Sequence, residues 1–199
     1  MKIIYSFDLF FAKLANNLLN GFGTVLTPAF KVITILGNMG LVFVAAAISL
    51  LFFKKTRFIG VVACGALFFG FLFTNVALKG IVARNRPFID KSSPFYNFWV
   101  AAGSLKESGY SFPSGHTTSA AAFAVAVALA AKKRAAAFVL IIPFVMGFTR
   151  IYFGVHYATD ILGGLIVGTI AAEISVLIVS RLFPVVLNKF SRKNEENNS

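Results

Sequence analysis

The sequence predicts an all-α integral membrane protein, built as a polytopic helical bundle. Of its 199 residues, 58% are hydrophobic and only 13% are charged, and the mean hydropathy is +0.81. A soluble domain of this length does not need so much apolar surface, whereas a protein with several membrane helices does. Charges also bound uncharged runs of about 20 residues, the length that spans a hydrocarbon core. We expect five clear transmembrane helices plus an N-terminal amphipathic or sixth spanning segment.

The N-terminal segment, residues 1–35, has two possible structures. Apolar residues recur at helical spacing, which favours an amphipathic helix lying in the membrane interface. They are Phe7, Phe10, Phe11, Leu14 and Leu18. A short first span is the alternative. The segment lacks the small-residue cleavage site of a signal peptide.

Five apolar runs follow, of which only the last contains a charged residue, Glu173, and each ends at one or more cations. They cover residues 32–53, 58–78, 115–131, 135–149 and 161–180. In the last run, Gly164 and Gly168 form a small-xxx-small pair that permits close helix contact. We therefore divide the chain into the N-terminal segment 1–35, a transmembrane catalytic domain 36–183 and a polar cytoplasmic tail 184–199.

The distribution of cations predicts the orientation. Ten fall on one side of the expected bundle: Lys54, Lys55, Arg57, Lys132, Lys133, Arg134, Arg181, Lys189, Arg192 and Lys193. The opposite side has six: Lys79, Arg84, Arg86, Lys91, Lys106 and Arg150. The richer side should be cytoplasmic and contact anionic headgroups, which places the C-terminus inside.

Polar residues cluster at the outward helix ends. Five of them come from three separate segments: Lys79, Arg86, Ser114, Gly115 and Arg150. The arginines can each present a planar pair of donors to phosphate oxygens, whereas the lysine is a point charge. At a helix start, free N–H groups favour an anion, and glycine lets it approach closely. These residues predict a phosphate pocket.

A histidine and an aspartate lie one helical turn apart after Arg150. Asp160 can accept a hydrogen bond from His156, which fixes the imidazole tautomer and leaves the other nitrogen free as base, nucleophile or ligand. With an anion held nearby, we interpret His156 as the nucleophile that attacks phosphorus. His116 then protonates the leaving oxygen and activates water. This requires His156 neutral and His116 protonated at the start, and it needs no metal.

Composition excludes several other kinds of site. The single cysteine, Cys64, permits neither a disulfide nor a cysteine-based metal site, and two histidines with seven acids leave little for a metal cluster. The net charge of +12 does not indicate nucleic-acid binding, because no soluble module carries a basic face with interleaved aromatics. We expect no cofactor, no metal and no nucleic acid.

Three motifs resemble the signatures of the type 2 phosphatidic acid phosphatase family. They are Lys79-x6-Arg86-Pro87, Pro113-Ser114-Gly115-His116 and Arg150-x5-His156-x3-Asp160. The family includes bacterial undecaprenyl-pyrophosphate and phosphatidylglycerophosphate phosphatases and commonly has six spans. The resemblance covers roughly residues 36–183, with Thr149 where the family usually has serine.

The resemblance implies a function and a role for each matched residue. Lys79, Arg86, Ser114, Gly115 and Arg150 would bind phosphate. His156 would be the nucleophile, His116 the acid–base and Asp160 the orienting partner. The expected substrate is a membrane lipid phosphate or pyrophosphate, first undecaprenyl pyrophosphate and second phosphatidylglycerophosphate or phosphatidate, hydrolysed on the outer side of the cell membrane.

Two other functions stay open at this point. A vanadate-dependent haloperoxidase shares the site chemistry, and an anion channel or transporter could use the same cations. We expect the remaining outward cations, Arg84, Lys91 and Lys106, to contact loops or headgroups.

Overall fold

A computed structural model of the chain describes residues 2–131 and 134–196, which are mostly helical and contain no strand. The α-helices in these ranges are α1 Lys2–Leu36, α2 Leu41–Leu51, α3 Arg57–Phe71, α4 Lys79–Val82, α5 Pro94–Ala101, α6 Gly115–Ala131, α7 Ile141–Tyr152 and α8 Ala158–Glu196. Short 3₁₀ turns, Asn38–Gly40 and Arg134–Leu140, precede α2 and α7. A π-helical turn, Leu72–Leu78, joins α3 to α4. The all-α prediction is confirmed.

Three described helices are long and apolar enough to cross a membrane: Lys2–Leu36, Arg57–Val82 and Ala158–Leu182. The apolar helices Leu41–Leu51, Gly115–Ala131 and Ala136–Tyr152 are shorter. The predicted runs 58–78, 115–131 and 161–180 each lie within one continuous helical stretch, whereas the count of five spans stays a prediction.

Small residues let the long helices pack closely. A Cβ on Gly168 would lie 2.6 Å from the Cβ of Ala121, and one on Gly164 would lie 2.9 Å from the carbonyl oxygen of Ser114. The close contact predicted for this glycine pair is therefore confirmed, and its partner is α6. Fully buried alanines continue the packing between α3, α6 and α8: Ala63, Ala66, Ala120, Ala122 and Ala172.

The helices bring their polar ends to one end of the bundle, which we call the site end. Here α4 and α7 terminate, while α6 and α8 begin. The backbone N–H of Ser114 donates to the carbonyl of Asp160 at 3.1 Å, which joins the starts of α6 and α8. The N–H of Ser111 donates to the carbonyl of Arg84 at 2.8 Å and holds the segment before α6 against the residues after α4.

The predicted span 32–53 is not one helix. α1 ends at Leu36, and the turn Asn38–Gly40 leads into α2. Gly40 has a left-handed φ of 70°, and a Cβ there would lie 2.8 Å from the hydroxyl of Ser119, so the turn favours glycine. The break could not be predicted from the distribution of charges, because the residues that turn the chain are as uncharged as the rest of the run.

α1 runs across the site end instead of along the bundle. The hydroxyl of Thr34 donates to Thr149 at 3.0 Å, while Asp8 accepts the backbone N–H of Thr159 at 2.8 Å. Residues 8 and 34 would be about 39 Å apart along a straight helix. Their partners, Thr149 and Thr159, nevertheless both lie where α7 meets α8. Non-helical backbone at Phe22 (φ −132°, ψ 16°) kinks α1 between these two contacts.

The predicted domain boundaries stay predictions. The first, between residues 35 and 36, falls at the last turn of α1. The second, between 183 and 184, lies inside α8, which continues to Glu196.

Candidate active site

A cavity of about 710 Å³ opens at the site end. Five of the eight predicted site residues line it: Lys79, Arg86, Gly115, His116 and His156. The end of the Arg57–Val82 stretch supplies the lysine, the start of α6 supplies the glycine and the first histidine, and the turn between α7 and α8 supplies the second histidine. Both histidines and two of the predicted cations therefore face one cavity.

Asp160 orients His156 from one turn along the chain. Its Oδ2 lies 3.3 Å from Nδ1 of the imidazole, so the hydrogen bond expected from the spacing is present. The same oxygen accepts from the hydroxyl of Ser111 and, at 2.8 Å, from the backbone N–H of Tyr157. Asp160 is completely buried. A carboxylate held in this way keeps the proton of the neutral imidazole on Nδ1.

The other imidazole nitrogen faces Arg86. Nη1 of the arginine lies 3.3 Å from Nε2 of His156 and donates to the carbonyl of Val155 at 3.1 Å. The guanidinium also donates to the carbonyls of Gly109 at 3.0 Å and Ser108 at 2.8 Å. These carbonyls fix a cation beside the unprotonated nitrogen, the atom that would attack phosphorus.

Burial keeps His156 neutral. It lowers the pKa of this imidazole to about 4, although the hydrogen bond and charge of Asp160 oppose the shift and the charges of Arg150 and Arg86 add to it. Burial also lowers the pKa of Arg86, and the negative charges of Glu107 and Asp160 oppose this shift. The guanidinium nevertheless stays charged, as arginine does in proteins. At neutral pH the site therefore places a neutral imidazole beside a permanent cation.

Arg150 is completely buried and incompletely paired. Its Nη2 donates to the carboxylate of Glu107, while Nε and Nη1 have no hydrogen-bond partner within the described ranges. Buried donors without acceptors cost free energy, so an anion that reached them would bind favourably.

Glu107 places its carboxylate between two arginines. Besides its contact with Arg150, its Oε2 lies 3.7 Å from Nη2 of Arg86. Burial alone would raise the pKa of Glu107, but the charge and hydrogen bond of Arg150, together with the charge of Arg86, hold that pKa below its ordinary value. A carboxylate thus occupies the place predicted for a phosphate.

The remaining predicted ligands differ in position. Lys79 lines the cavity, where its Nζ donates to Asn75 at 2.9 Å, and a Cβ on Gly115 would lie 3.8 Å from that amine. Ser114 is completely buried and is not among the described residues that line the cavity. Its hydroxyl accepts from Thr117, at 3.1 Å from the side chain and 3.4 Å from the backbone N–H.

Arg84 belongs to the site, so the prediction that it contacts loops or headgroups is wrong. Its Nη1 donates at 2.7 Å both to Oδ1 of Asp160 and to the hydroxyl of Thr159. Its Nη2 donates to Asp8 at 2.8 Å, and its guanidinium lies 3.8 Å from the ring centre of Tyr157. The two other outward cations assigned to loops, at 91 and 106, are exposed.

Sequence reasoning missed four residues that organise the site: Asp8, Arg84, Glu107 and Ser111. One signal was available, because acids are scarce in this chain: the seven acids face 19 lysines and arginines, so each acid is a candidate partner of a cation. The pairing itself leaves no local pattern, since the partners lie as far as 76 positions apart.

A family model described as the PAP2 superfamily matches residues 56–184. The chain belongs to the PAP2 superfamily. The matched region runs from the start of α3 into α8, so it contains every site residue predicted from the sequence. Helices α1 and α2 of this PAP2 protein lie outside the match.

Curated PAP2 relatives are phosphatases by name. The undecaprenyl-diphosphatase of Sulfolobus acidocaldarius is 30% identical over 131 residues, which cover 66% of this chain and 60% of that protein. The lipid A 1-phosphatase of Rhizobium johnstonii is 32% identical over 118 residues, 58% of this chain and 47% of that protein. Undecaprenyl-diphosphatase BcrC of Bacillus subtilis is 33% identical over 99 residues, 44% of this chain and 50% of that protein. The chain thus spans about half the length of these relatives.

Two solved structures have a similar fold. The crystal structure of Aquifex aeolicus LpxE gives a TM-score of 0.63 at 26% identity, covering 82% of this chain and 93% of that one. A transmembrane PAP2-type phosphatidylglycerolphosphate phosphatase from Bacillus subtilis gives a TM-score of 0.68 at 24% identity, covering 91% of this chain and 88% of that one. With its long apolar helices, this PAP2 chain is a membrane protein.

Proposed function

We propose that this protein is a metal-independent membrane phosphatase that hydrolyses a lipid phosphate or pyrophosphate through a phosphohistidine. One observation carries the proposal: His156, held by Asp160, presents its unprotonated Nε2 in the cavity that His116, Lys79 and Arg86 also line. A nucleophile, a second titratable group and two cations around one cavity are the groups that phosphoryl transfer requires. The names of the curated relatives agree with this chemistry.

The reaction has two displacement steps at phosphorus. In the first, Nε2 of His156 forms a bond to phosphorus while the bond from phosphorus to the lipid-side oxygen breaks, and His116, protonated in the substrate complex, gives its proton to that oxygen. In the second, His116 takes a proton from water, whose oxygen bonds to phosphorus as the phosphorus–nitrogen bond breaks. Orthophosphate leaves, and both histidines return to their starting states.

The cations stabilise the negative charge of the transition state. Arg86 already lies against the nucleophilic nitrogen, and the unpartnered Nε and Nη1 of Arg150 can donate to phosphate oxygens. Removal of one such donor commonly slows catalysis by about 10²–10³-fold.

The cavity also supports a lipid substrate. Beyond its polar end, apolar side chains of α2 and α3 line the remaining wall: Val44, Ile48, Leu67, Phe68 and Phe71. A phosphate could bind at the polar end while its hydrocarbon chain extends between the two helices. Undecaprenyl pyrophosphate is our first choice of substrate, and phosphatidylglycerophosphate or phosphatidate is second.

We place the active site on the extracytoplasmic face of a multi-pass protein in the cell membrane. The cations of 54–57 lie at the junction of α2 and α3, away from the site end, and Arg181 lies far along α8. Lys132 and Lys133, two further cations of the predicted cytoplasmic set, lie outside the described residues. The positive-inside rule then makes the site end external and the C-terminus cytoplasmic. Since α1 crosses the site end, we assign it to the outer interface.

The test is phosphate release by purified protein from a panel of undecaprenyl pyrophosphate, phosphatidylglycerophosphate, phosphatidate, lipid A and a soluble sugar phosphate. The wild type should cleave at least one lipid, and His156→Ala should release none while retaining part of its lipid binding. A preference for the sugar phosphate would overturn the lipid assignment. Anion flux in vesicles that survives His156→Ala, without phosphate release, would indicate the transporter instead.

A further inference from the structure

Arg84 links two buried carboxylates, Asp8 on the N-terminal helix and Asp160, the partner that orients the nucleophile. We propose that Asp8 and Arg84 are positioning residues, which hold Asp160, and through it His156, in the orientation needed for attack on phosphorus. The inference rests on the proposed phosphatase activity. It assigns a function to α1, which lies outside the part of the chain matched by the family model.

Arg84 fixes the half of the Asp160 carboxylate that His156 does not use. Oδ2 of Asp160 accepts hydrogen bonds from the imidazole, the hydroxyl of Ser111 and a backbone N–H. Oδ1 accepts from Nη1 of Arg84 at 2.7 Å. With both oxygens engaged, the carboxylate plane is set. Without the arginine, rotation of the carboxylate would take Oδ2 away from Nδ1 and release the imidazole.

Asp8 holds Arg84 and the start of α8 together. Its Oδ2 accepts from Nη2 of Arg84 at 2.8 Å, and its Oδ1 accepts the backbone N–H of Thr159 at 2.8 Å. This N–H belongs to the first turn of α8, where the helix itself offers no acceptor. A carboxylate there also interacts favourably with the helix dipole. Asp8 therefore caps, from another helix, the turn that carries Asp160.

The cluster is built to hold a carboxylate and not to bind an anion. Asp8 and Asp160 are 2% and 0% exposed, and between them they surround the single guanidinium of Arg84. Two carboxylates and one guanidinium leave the cluster negative, which repels phosphate. Arg84 is not among the described residues that line the cavity, unlike Arg86 two positions later. Its effect on the reaction must therefore pass through Asp160.

The test compares Asp8→Asn, Arg84→Gln and Arg84→Lys in the purified full-length protein. Asp90→Asn is the matched control, because it removes the same charge from an exposed carboxylate that bonds only to Ser92 within its own turn. For each protein, kcat and KM are measured with the lipid phosphate that the wild type cleaves. The inhibition constant of orthophosphate and the thermal midpoint are measured on the same preparations.

We expect Asp8→Asn and Arg84→Gln to lower kcat by roughly 10–100-fold, the usual effect of losing a partner that orients a reacting group. Orthophosphate inhibition should change by less than about twofold, because the cations that bind a ground-state anion are untouched. Arg84→Lys should recover part of kcat, and the double variant Asp8→Asn with Arg84→Gln should be no slower than Arg84→Gln alone, as expected for residues that act in series.

Two results would overturn the inference. One is a kcat for Asp8→Asn equal to that of Asp90→Asn. The other is a parallel fall of kcat, orthophosphate affinity and thermal midpoint, which indicates general support of the fold. Arg84→Gln leaves two buried carboxylates without a cation, so if it does not fold, Asp8→Asn decides the matter, because Arg84 still pairs with Asp160 there. A wild type that releases no phosphate would contradict the proposed function, whereas an active wild type with unaffected variants contradicts this inference alone.

Discussion

The carboxylate of Glu107 lies against the guanidinium of Arg150, and it also reaches within 3.7 Å of Arg86. A negatively charged group thus already lies among the cations predicted to bind phosphate. Two other nitrogens of Arg150 stay without an acceptor in the described parts of the chain. A substrate phosphate must therefore either displace Glu107 from Arg150 or share the arginine with it.

Glu107→Gln should tighten the binding of inorganic anions. A neutral amide competes less well for Arg150, and a charge-assisted hydrogen bond of about 1.5 kcal/mol or more no longer opposes the incoming anion. We expect the inhibition constant of orthophosphate to fall roughly tenfold. Glu173→Gln is the control, since this exposed glutamate on α8 has no hydrogen bond or ion pair with any described residue. An unchanged or higher constant in Glu107→Gln would show that Glu107 does not compete with phosphate.

His156 should titrate far below the ordinary histidine range. Its pKa is lowered to about 4, mainly by burial, so the imidazole gains its proton only as the pH falls through that value and stays neutral and nucleophilic above it. The chain has two histidines, so His116→Ala leaves a single imidazole to observe. Nitrogen NMR of the untagged variant should show a proton on Nδ1 and a midpoint well below 6. A midpoint near the unperturbed value of about 6.5 would contradict the assignment.

The two histidines should affect different steps. His156→Ala should form no acid-labile phosphoenzyme with any substrate, because the attacking nitrogen is gone. His116→Ala should cleave lipid substrates roughly 10²–10⁴-fold more slowly, since proton transfer to the leaving oxygen is lost. With an aryl phosphate, whose leaving group needs no proton, His116→Ala should still form the phosphoenzyme and accumulate it. Quench-flow trapping measures both species, and a phosphoenzyme in His156→Ala would disprove the assigned nucleophile.

The far end of the cavity should determine which hydrocarbon chains are accepted. Cys64 lies in the apolar wall of the cavity, so the larger side chain of Cys64→Trp should fill the far end of the cavity. KM for a long-chain lipid phosphate should rise by about tenfold, the effect of overpacking a confined site. KM for a short-chain analogue should not change. Val76→Trp adds the same side chain to an exposed position that does not line the cavity. Equal effects on short and long chains would contradict an extended chain between α2 and α3.

Chelation should leave the activity intact. Arginine and lysine side chains supply the positive charge that a metal would otherwise supply in phosphoryl transfer, so turnover in EDTA should equal turnover without it. The measurement is phosphate release after dialysis against chelator. A loss of activity that a divalent cation restores would contradict the proposed mechanism.

Local sequence patterns were sufficient for the elements whose structure depends on nearby residues. The runs 58–78, 115–131 and 161–180 are helical because a long apolar stretch must satisfy its backbone hydrogen bonds internally within a bilayer. The hydrogen bond from His156 to Asp160 follows from four-residue spacing near a helix start. The contact of α8 with α6 follows from two glycines that leave room for a neighbour.

Only the tertiary structure decided features that depend on distant partners. Hydropathy did not reveal the turn at Gly40, since the residues of the turn are uncharged. It also did not reveal that α1 lies across the site end, since an apolar helix of that length is compatible with a spanning or an interfacial orientation. Asp8, Arg84 and Glu107 gave no local signal because the partners of an ion pair need only meet in space. The sequence by itself determined the all-α class, and it predicted which groups would carry the chemistry. The crossing of α1 over the bundle decided which charges meet. It brings the buried carboxylate of Asp8 to Arg84, a partner that is distant in sequence, because a buried charge must find its partner on another segment.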